Sequence, residues 1–414
     1  MKYSIVTFGC RVNHADSLRI EEDLRARGGV ETTSALADVV IVNTCSVTAT
    51  ADQGARQTIR RIARENPHAE IVATGCYATR CEDEVAALPN VVRVVRNADK
   101  LEIGRSFDGD GACGAPIEPG IAGRTAFTIR AQTGCEEQCA YCIIPSTRGG
   151  SRSRAVDDLV AEVERVGDAG FKEVIVTGVH LGSYGRDLAP GASLLDLLRA
   201  LDTVRGDVTF RVSSLEPMDC TPEIVSFVAA SGRFLPHFHL PLQHAADRML
   251  ALMRRPYTLN YYRRLLDSIV ERLPHASIGS DMIVGFPGET DADFTANLDY
   301  LPSSPLTHLH VFPYSDRPGT AASAMRDKVH GSIVRDRATQ LRDIGVGLSR
   351  RFRESQVGTI RPGLTLEDGT LVVTDNYLKV RIAPGNARNT RGRVRILGSG
   401  SPGVVPAISG EWIP

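Results

Sequence analysis

Apolar positions in this chain fall in short runs separated by amphipathic stretches, and the alternation divides into three segments. In the first, residues 3–8, 39–43, 70–74 and 91–95 have the length and β-branched content of buried strands. Residues 16–27 and 51–65 between them carry helical periodicity, stopped by Gly28-Gly29 and by Pro67. Strand–helix alternation of this kind predicts a parallel sheet flanked by helices. The second segment repeats it over a longer span, with strands at 125–131, 173–177, 208–213, 237–242, 277–284 and 308–313. Helical patterns lie between them at 155–166, 194–201, 247–253, 259–272 and 291–301. Six such units predict a partial (β/α)6 barrel rather than the eight-fold form. Beyond a basic helix ending near Arg353, short runs at 369–374, 378–382 and 392–396 predict a small antiparallel β barrel. A Gly-, Pro- and Ala-rich run from Asp108 to Arg124 links the first two segments. The predicted fold class is α/β with three domains, at residues 1–110, 121–351 and 354–414.

Composition adds limits. The chain has 414 residues, 42% hydrophobic and 23% charged, with a formal net charge of -1. That is a globular composition with room for several cores, and it excludes a bulk polycation. Any nucleic-acid contact must come from a local patch. One candidate lies after Asn376, where Lys379, Arg381, Arg388, Arg391, Arg393 and Arg395 face a single acid, Glu411. Such a run is either a solvated face or an RNA-backbone contact. The first residues lack a signal-peptide core, and no apolar run reaches membrane-spanning length, so a cytoplasmic protein without a membrane partner is expected.

Nine cysteines in a reducing compartment direct attention to metal chemistry. Cys135, Cys139 and Cys142 occupy eight residues. Three thiolates can hold three irons of a 4Fe–4S cluster and leave the fourth open for chemistry. Structural zinc wants four ligands, and no fourth Cys or His follows at the spacing it requires. Cys10, Cys45 and Cys76 each fall one or two residues past a predicted strand. Taken singly, each reads as a small buried residue. Together they lie along the carboxyl edge of one sheet, where ligands collect, and read as a second cluster's ligands. Cys81, Cys113 and Cys220 are expected to be ordinary thiols. Asp108-Gly-Asp-Gly lacks the remaining positions of a calcium loop.

Over essentially its whole length the chain resembles the radical S-adenosylmethionine methylthiotransferases, closest to the branch acting on threonylcarbamoyladenosine in tRNA. In the first segment the resemblance rests on Thr7-Phe-Gly-Cys10, Asn43-Thr-Cys45 and Thr74-Gly-Cys76. In the second it rests on Gly134-Cys135 through Ile144-Pro145, then Arg148-Gly149, Ser151-Arg-Ser-Arg154, Arg211 to Pro217 and Ile283 to Glu289. The loop from Thr177 to Asp187 is similar to that branch; the isopentenyladenosine branch carries Gln-Asn there, and the ribosomal-protein branch Gln-Asp. Pro241-Leu-Gln-His-Ala245 departs from the family's Pro-Leu-Gln-Ser-Gly at His244 and Ala245, while Gln243 remains.

The resemblance implies an amino-terminal cluster domain, a radical core and a carboxy-terminal TRAM domain that binds RNA. It implies two 4Fe–4S clusters and S-adenosylmethionine as cofactors. The tRNA anticodon arm, an electron donor such as flavodoxin or ferredoxin, and a sulfur source are the implied partners. Cleavage of S-adenosylmethionine at Cys135, Cys139 and Cys142 would activate C2 of an adenine next to the anticodon. The site at Cys10, Cys45 and Cys76 would supply sulfur, and a second S-adenosylmethionine the methyl group. Tyr141, Ser213, Ser214, Glu216, Ile283 and Gly285 are the implied cofactor contacts, with Gly288 allowing close approach; strand-end packing and turn formation compete for the serines and glycines. Arg148, Arg152 and Arg154 could meet RNA phosphates or the cofactor carboxylate, or simply be solvated. The alternatives are an isopentenyladenosine or ribosomal-protein methylthiotransferase, a non-catalytic iron–sulfur protein, and an RNA-binding module.

Overall fold

The computed structural model describes residues 1–107, 118–120, 125–188, 192–398 and 408–413; Cys113 and the Asp108-Gly-Asp-Gly run lie outside them. The amino-terminal layer is a parallel sheet of β1 (Lys2–Thr7), β2 (Val30–Glu31), β3 (Val39–Thr44), β4 (Glu70–Gly75) and β5 (Val91–Val95), ordered β2-β1-β3-β4-β5. Every residue of β3 is buried, as its unbroken apolar run requires of a strand covered on both faces. Helices α1 (Arg11–Ala26) and α2 (Ala49–Glu65) cover the sheet, and short α3 (Cys76–Arg80) and α4 (Glu82–Ala86) follow β4. Ala55, Ile59 and Ile62 of α2 face the core at helical spacing, and the Thr48 side chain caps the first turn. Helix α1 starts five residues before its predicted position, directly after Cys10. Its first two turns bury the polar Asn13 and Asp16, which are satisfied by hydrogen bonds and ion pairs.

The middle layer comprises β6 (Phe127–Thr133), α5 (Ile144–Arg148), β7 (Arg152–Ser153), α6 (Val156–Asp168), β8 (Glu173–Gly178), α7 (Leu194–Asp202), β9 (Thr209–Val212) and α8 (Pro222–Ala230). It continues with β10 (His237–His239), α9 (Asp247–Leu252), α10 (Leu259–Arg272), β11 (Ser277–Val284), α11 (Asp291–Tyr300), β12 (His308–Pro313) and α12 (Gly331–Gln356). β6, β8 and β9 pair in parallel, as do β10, β11 and β12. Phe210 N–H to Arg233 O (2.8 Å) and Leu215 N–H to His239 O (3.0 Å) join the two groups into a six-stranded arc. This is the open barrel expected from the pattern. The hydrophobic periodicity missed α8, which is apolar on nearly every side and so shows no stripe.

The carboxy-terminal barrel closes in the order β13 (Ile360–Leu366), β14 (Leu371–Thr374), β15 (Lys379–Arg381), β17 (Ile408–Ile413), β16 (Arg391–Gly398). It departs from the all-antiparallel expectation at one seam, where β15 and β17 run parallel.

Three buried charge groups dock the layers. Asp16 takes Lys100 (3.0 Å) from its own layer and Arg148 (3.2 Å) and Arg130 from the middle one. Asp52 takes Arg80 (2.5 Å) and the middle layer's Arg317 (2.6 Å). Arg211, paired with Glu173 (3.0 Å), donates to the carbonyls of Thr374 (2.8 Å) and Asp375 (2.7 Å) in the small barrel. The positions of all three layers around one cavity are therefore fixed by directional contacts. Among the described residues no helix is long and apolar enough to cross a membrane.

Candidate functional site

Cys10, Cys45 and Cys76 follow three neighbouring strands, β1, β3 and β4, at their carboxyl ends. Gly9 explains how two of them meet. Its φ is +91°, and a Cβ there would stand 2.6 Å from both Cβ and Sγ of Cys45, so only glycine permits the approach. Cys10 is exposed, whereas Cys45 and Cys76 are buried. Burial, with the neighbouring Cys10 and Cys76 adding, pushes the Cys45 thiol up to about 11. Burial acts the same way on Cys76, but Arg148 and Lys100 outweigh it and hold that thiol below its ordinary value. Asn97 Nδ2 stands 3.6 Å from the same sulfur. Three converging thiols backed by two buried cations suit a thiolate-held cluster, whose ligands must be anionic.

Cys135, Cys139 and Cys142 lie on the loop leaving β6 at the carboxyl face of the barrel. Gly134 (φ +76°) begins the turn, where a Cβ would meet Gly150 O at 1.9 Å. The loop is tied down by Ala140 N–H to Met253 O (3.0 Å) and Ala322 N–H to Ala140 O (2.8 Å). Arg255 donates to Cys139 Sγ (3.0 Å) and is ion-paired with Glu216. His180 Nδ1 lies 3.8 Å from Cys135 Sγ, and its Nε2 is 2.7 Å from Asp219. Burial opposes charge on His180, but Asp219 and Cys135 raise it to about 10, so the ring is an imidazolium beside the thiol. Burial raises Cys139, and takes Cys142 up to about 12. Metal coordination, rather than the protein alone, must deprotonate these two.

The remaining predicted residues divide. Ser213 and Ser214 line the cavity described below; Ser213 donates to Thr177 Oγ1 (3.0 Å), and Ser214 Oγ pairs with His239 Nδ1 (2.8 Å). Tyr141 and Ile283 pack against one apolar cluster with Ala140 and Phe286. Gly285 gives its N–H to Glu289 and abuts Val334 of α12, so helix packing already accounts for its small size. Arg148 is buried on Asp16, which excludes the expected role as a free phosphate contact. Arg154 pairs with Glu162 (2.5 Å), and Arg152 is exposed. Cys220 is buried and Cys81 half-buried.

A cavity of about 940 Å³ runs between the layers. Cys10, Arg11 and Cys45 line it from the first layer, Ser213, Ser214 and Asp281 from the second, and Tyr377 and Lys379 from the third. It reaches Cys10 and Cys45, but Cys135, Cys139 and Cys142 do not line it. Histidines 237, 239, 308 and 310 stack along one wall. Asp281 stands 3.1 Å from both His239 and His310. Despite its burial, those two rings hold its carboxyl down at about 2. Burial lowers His237 and takes His308 to about 4, so these two rings are neutral.

Sequence reasoning missed Arg255, His180, Asp219, Lys100, Asp16 and the histidine wall. His180 sits inside the Thr177–Asp187 loop and could have been flagged there. The others are single residues paired across long separations and leave no local pattern.

An open six-stranded barrel with a three-cysteine loop after its first strand defines the radical S-adenosylmethionine class. Residues 129–301 match the Radical SAM superfamily, and residues 2–96 match a family described as uncharacterized protein family UPF0004. The chain is 35% identical to threonylcarbamoyladenosine tRNA methylthiotransferase MtaB of Bacillus subtilis, covering 90% of this chain and 88% of that protein. It is 34% identical to the Aquifex aeolicus protein of the same name (92% and 96% covered). It is 33% identical to tRNA-2-methylthio-N(6)-dimethylallyladenosine synthase of Pelotomaculum thermopropionicum (86% and 85%). The chain belongs to the radical S-adenosylmethionine tRNA methylthiotransferase family, whose members use S-adenosylmethionine and 4Fe–4S clusters. Among solved structures it is similar in fold to the radical S-adenosylmethionine methyltransferase TsrM of Kitasatospora setae. That likeness has a TM-score of 0.56 at 16% identity, over 78% of this chain and 76% of the other.

Proposed function

We propose that this enzyme adds a methylthio group to C2 of N6-threonylcarbamoyladenosine next to the anticodon of tRNA. The carrying observation is the cavity, which joins the exposed Cys10 to a cationic wall built partly by the small barrel. The names of the Bacillus and Aquifex relatives favour the threonylcarbamoyl arm over the isopentenyl one. C2 of adenine bears a hydrogen that is neither acidic nor polarised, so the difficult step belongs to cofactors. Bound clusters and S-adenosylmethionine supply the radical, the sulfur and the methyl group.

The chain's own groups bind and orient. Cys135, Cys139 and Cys142 hold the catalytic cluster, and Cys10, Cys45 and Cys76 hold the second. Arg255 and His180 place positive charge against the first set of thiolates; Lys100 and Arg148 do so for the second. Glu216 acts through Arg255, while Ser213, Ser214, Tyr141, Ile283 and Gly285 shape the cofactor's seat. The three layers correspond to domains at 1–110, 121–351 and 354–414, the last contacting the anticodon arm. An electron donor and a sulfur source complete the reaction.

The test is mass spectrometry of tRNA nucleosides from a strain lacking this gene and any second enzyme of the same activity. Loss of methylthio-threonylcarbamoyladenosine is expected. Its persistence, or loss of methylthio-isopentenyladenosine instead, would refute the substrate assignment.

A further inference from the structure

The cavity wall carries four permanent cations, Arg11, Arg148, Arg353 and Lys379, against a single carboxylate, Asp281. Asp281 is already matched by His239 and His310, and Arg148 by Asp16. Arg11, Arg353 and Lys379 have no carboxylate partner among the described residues. Arg353 and Lys379 sit where α12 meets the small barrel. Arg11 reaches the cavity from a different element, in the first turn of α1 and next in sequence to Cys10. One of its Nη atoms donates to Tyr377 OH (3.1 Å), and the guanidinium lies over that ring at 5.8 Å. Tyr377 is itself held at φ +67°, a conformation costly for a tyrosine, and its ring also carries the Arg211 guanidinium at 4.9 Å. The guanidinium is thus held through one of its donors, and Arg11 lines the cavity with no carboxylate on the others among the described residues.

We propose that Arg11 is the specificity residue for the substrate's N6 arm, binding the carboxylate of the threonylcarbamoyl group. This rests on the substrate reading above. In adenine, C2 and C6 flank the same ring nitrogen. A ring whose C2 is presented at the Cys10 end of the cavity keeps C6 and the arm it bears close to that end, where Arg11, next in sequence to Cys10, lines the cavity. A carboxylate offers the fork-shaped acceptor that a guanidinium matches with two parallel hydrogen bonds. An isopentenyl arm offers neither charge nor acceptor, and would bury the same guanidinium unpaired. Arg353 and Lys379, contributed by α12 and the small barrel, meet the RNA backbone, whose charge is the same for every substrate.

The test is fluorescence anisotropy with cluster-reconstituted enzyme and three anticodon stem-loops. They differ only in the adenosine arm: threonylcarbamoyl, its neutral carboxamide, or isopentenyl. Wild-type enzyme is expected to prefer the carboxylate over both others. Arg11→Gln should weaken the threonylcarbamoyl loop roughly ten- to a hundred-fold and leave the other two within about two-fold, while Arg11→Lys recovers part of the loss. Equal weakening of all three loops, or no change, overturns the proposal while the wild-type preference stands. Wild-type enzyme binding the carboxamide as tightly as the carboxylate overturns it without any variant, which covers the case in which Arg11→Gln loses iron. A wild-type enzyme preferring the isopentenyl loop overturns the substrate reading first, and this inference with it.

Discussion

Replacing Asp16 by asparagine removes the carboxylate that three cations share. Lys100 has no exposed side-chain surface and Arg148 only 2%, so neither can turn to water when its partner is lost. Removing one member of a buried ion pair typically costs about 3–5 kcal/mol. A second route gives a similar size. Although burial opposes its ionisation, Lys100, Arg130 and Arg148 hold the Asp16 carboxyl at about 2 against an ordinary 3.8. That difference corresponds to roughly 2.5 kcal/mol of stability at neutral pH. A loss of about 3 kcal/mol is therefore expected for Asp16→Asn, read from urea unfolding followed by circular dichroism. The sign with pH follows from a depressed carboxyl. The wild-type advantage is complete above the unfolded value near 3.8, and fades as pH falls towards 2. The two proteins should converge in acid. A difference below about 0.5 kcal/mol at pH 7, or one that stays constant between pH 5 and pH 3, would show that the cations are satisfied some other way.

Further outcomes are open to measurement. Cys139→Ala and Cys76→Ala should each lose about half of the reconstituted iron, but only Cys139→Ala should lose reductive cleavage of S-adenosylmethionine; equal losses in both would contradict separate sites. Lys379→Gln and Arg353→Gln should each lower the salt dependence of tRNA binding by about one counterion, uniformly across substrate arms. A change confined to one arm would argue against backbone contact. Arg211→Met strands Glu173 and two carbonyls of the small barrel, at a cost of roughly 2–4 kcal/mol. The only tryptophan, Trp412, lies in β17, so its fluorescence should report unfolding at lower urea than the far-ultraviolet signal; coincident and unshifted transitions would count against the docking role.

Much of this structure is legible in the chain because its strands are short runs rich in β-branched and other apolar residues, bounded by polar or turn residues. The runs at Val91–Val95, Ser277–Val284 and His308–Pro313 have the predicted ends, as does the amphipathic Leu259–Arg272. The cysteines are legible for a different reason: a thiol triad after one strand, and three strand ends sharing an edge, are topological facts. What escapes is polar burial. The start of α1 resembles a loop in hydropathy because Arg11, Asn13 and His14 are hydrophilic, yet Asn13 is fully buried and bonds to Phe8 and Thr44 carbonyls. Arg255 reaches Cys139, and Arg148 reaches Asp16, across more than a hundred residues. No periodicity records such pairs, since each depends on how the layers close.

Arg148 ends the helix that follows the Cys135–Cys142 loop, yet its charge is spent on Asp16 and on Cys76 in the first layer. A chain is made from its amino terminus. During synthesis the sheet carrying Cys10, Cys45 and Cys76 can form on the ribosome before Arg148, and even Lys100, has emerged. At that stage the thiol edge lacks the cations that favour its ionised form. Arg148 thus ties the two sites together: the residue that ends the helix after the second site's loop is also one that favours the ionised form of a thiol in the first.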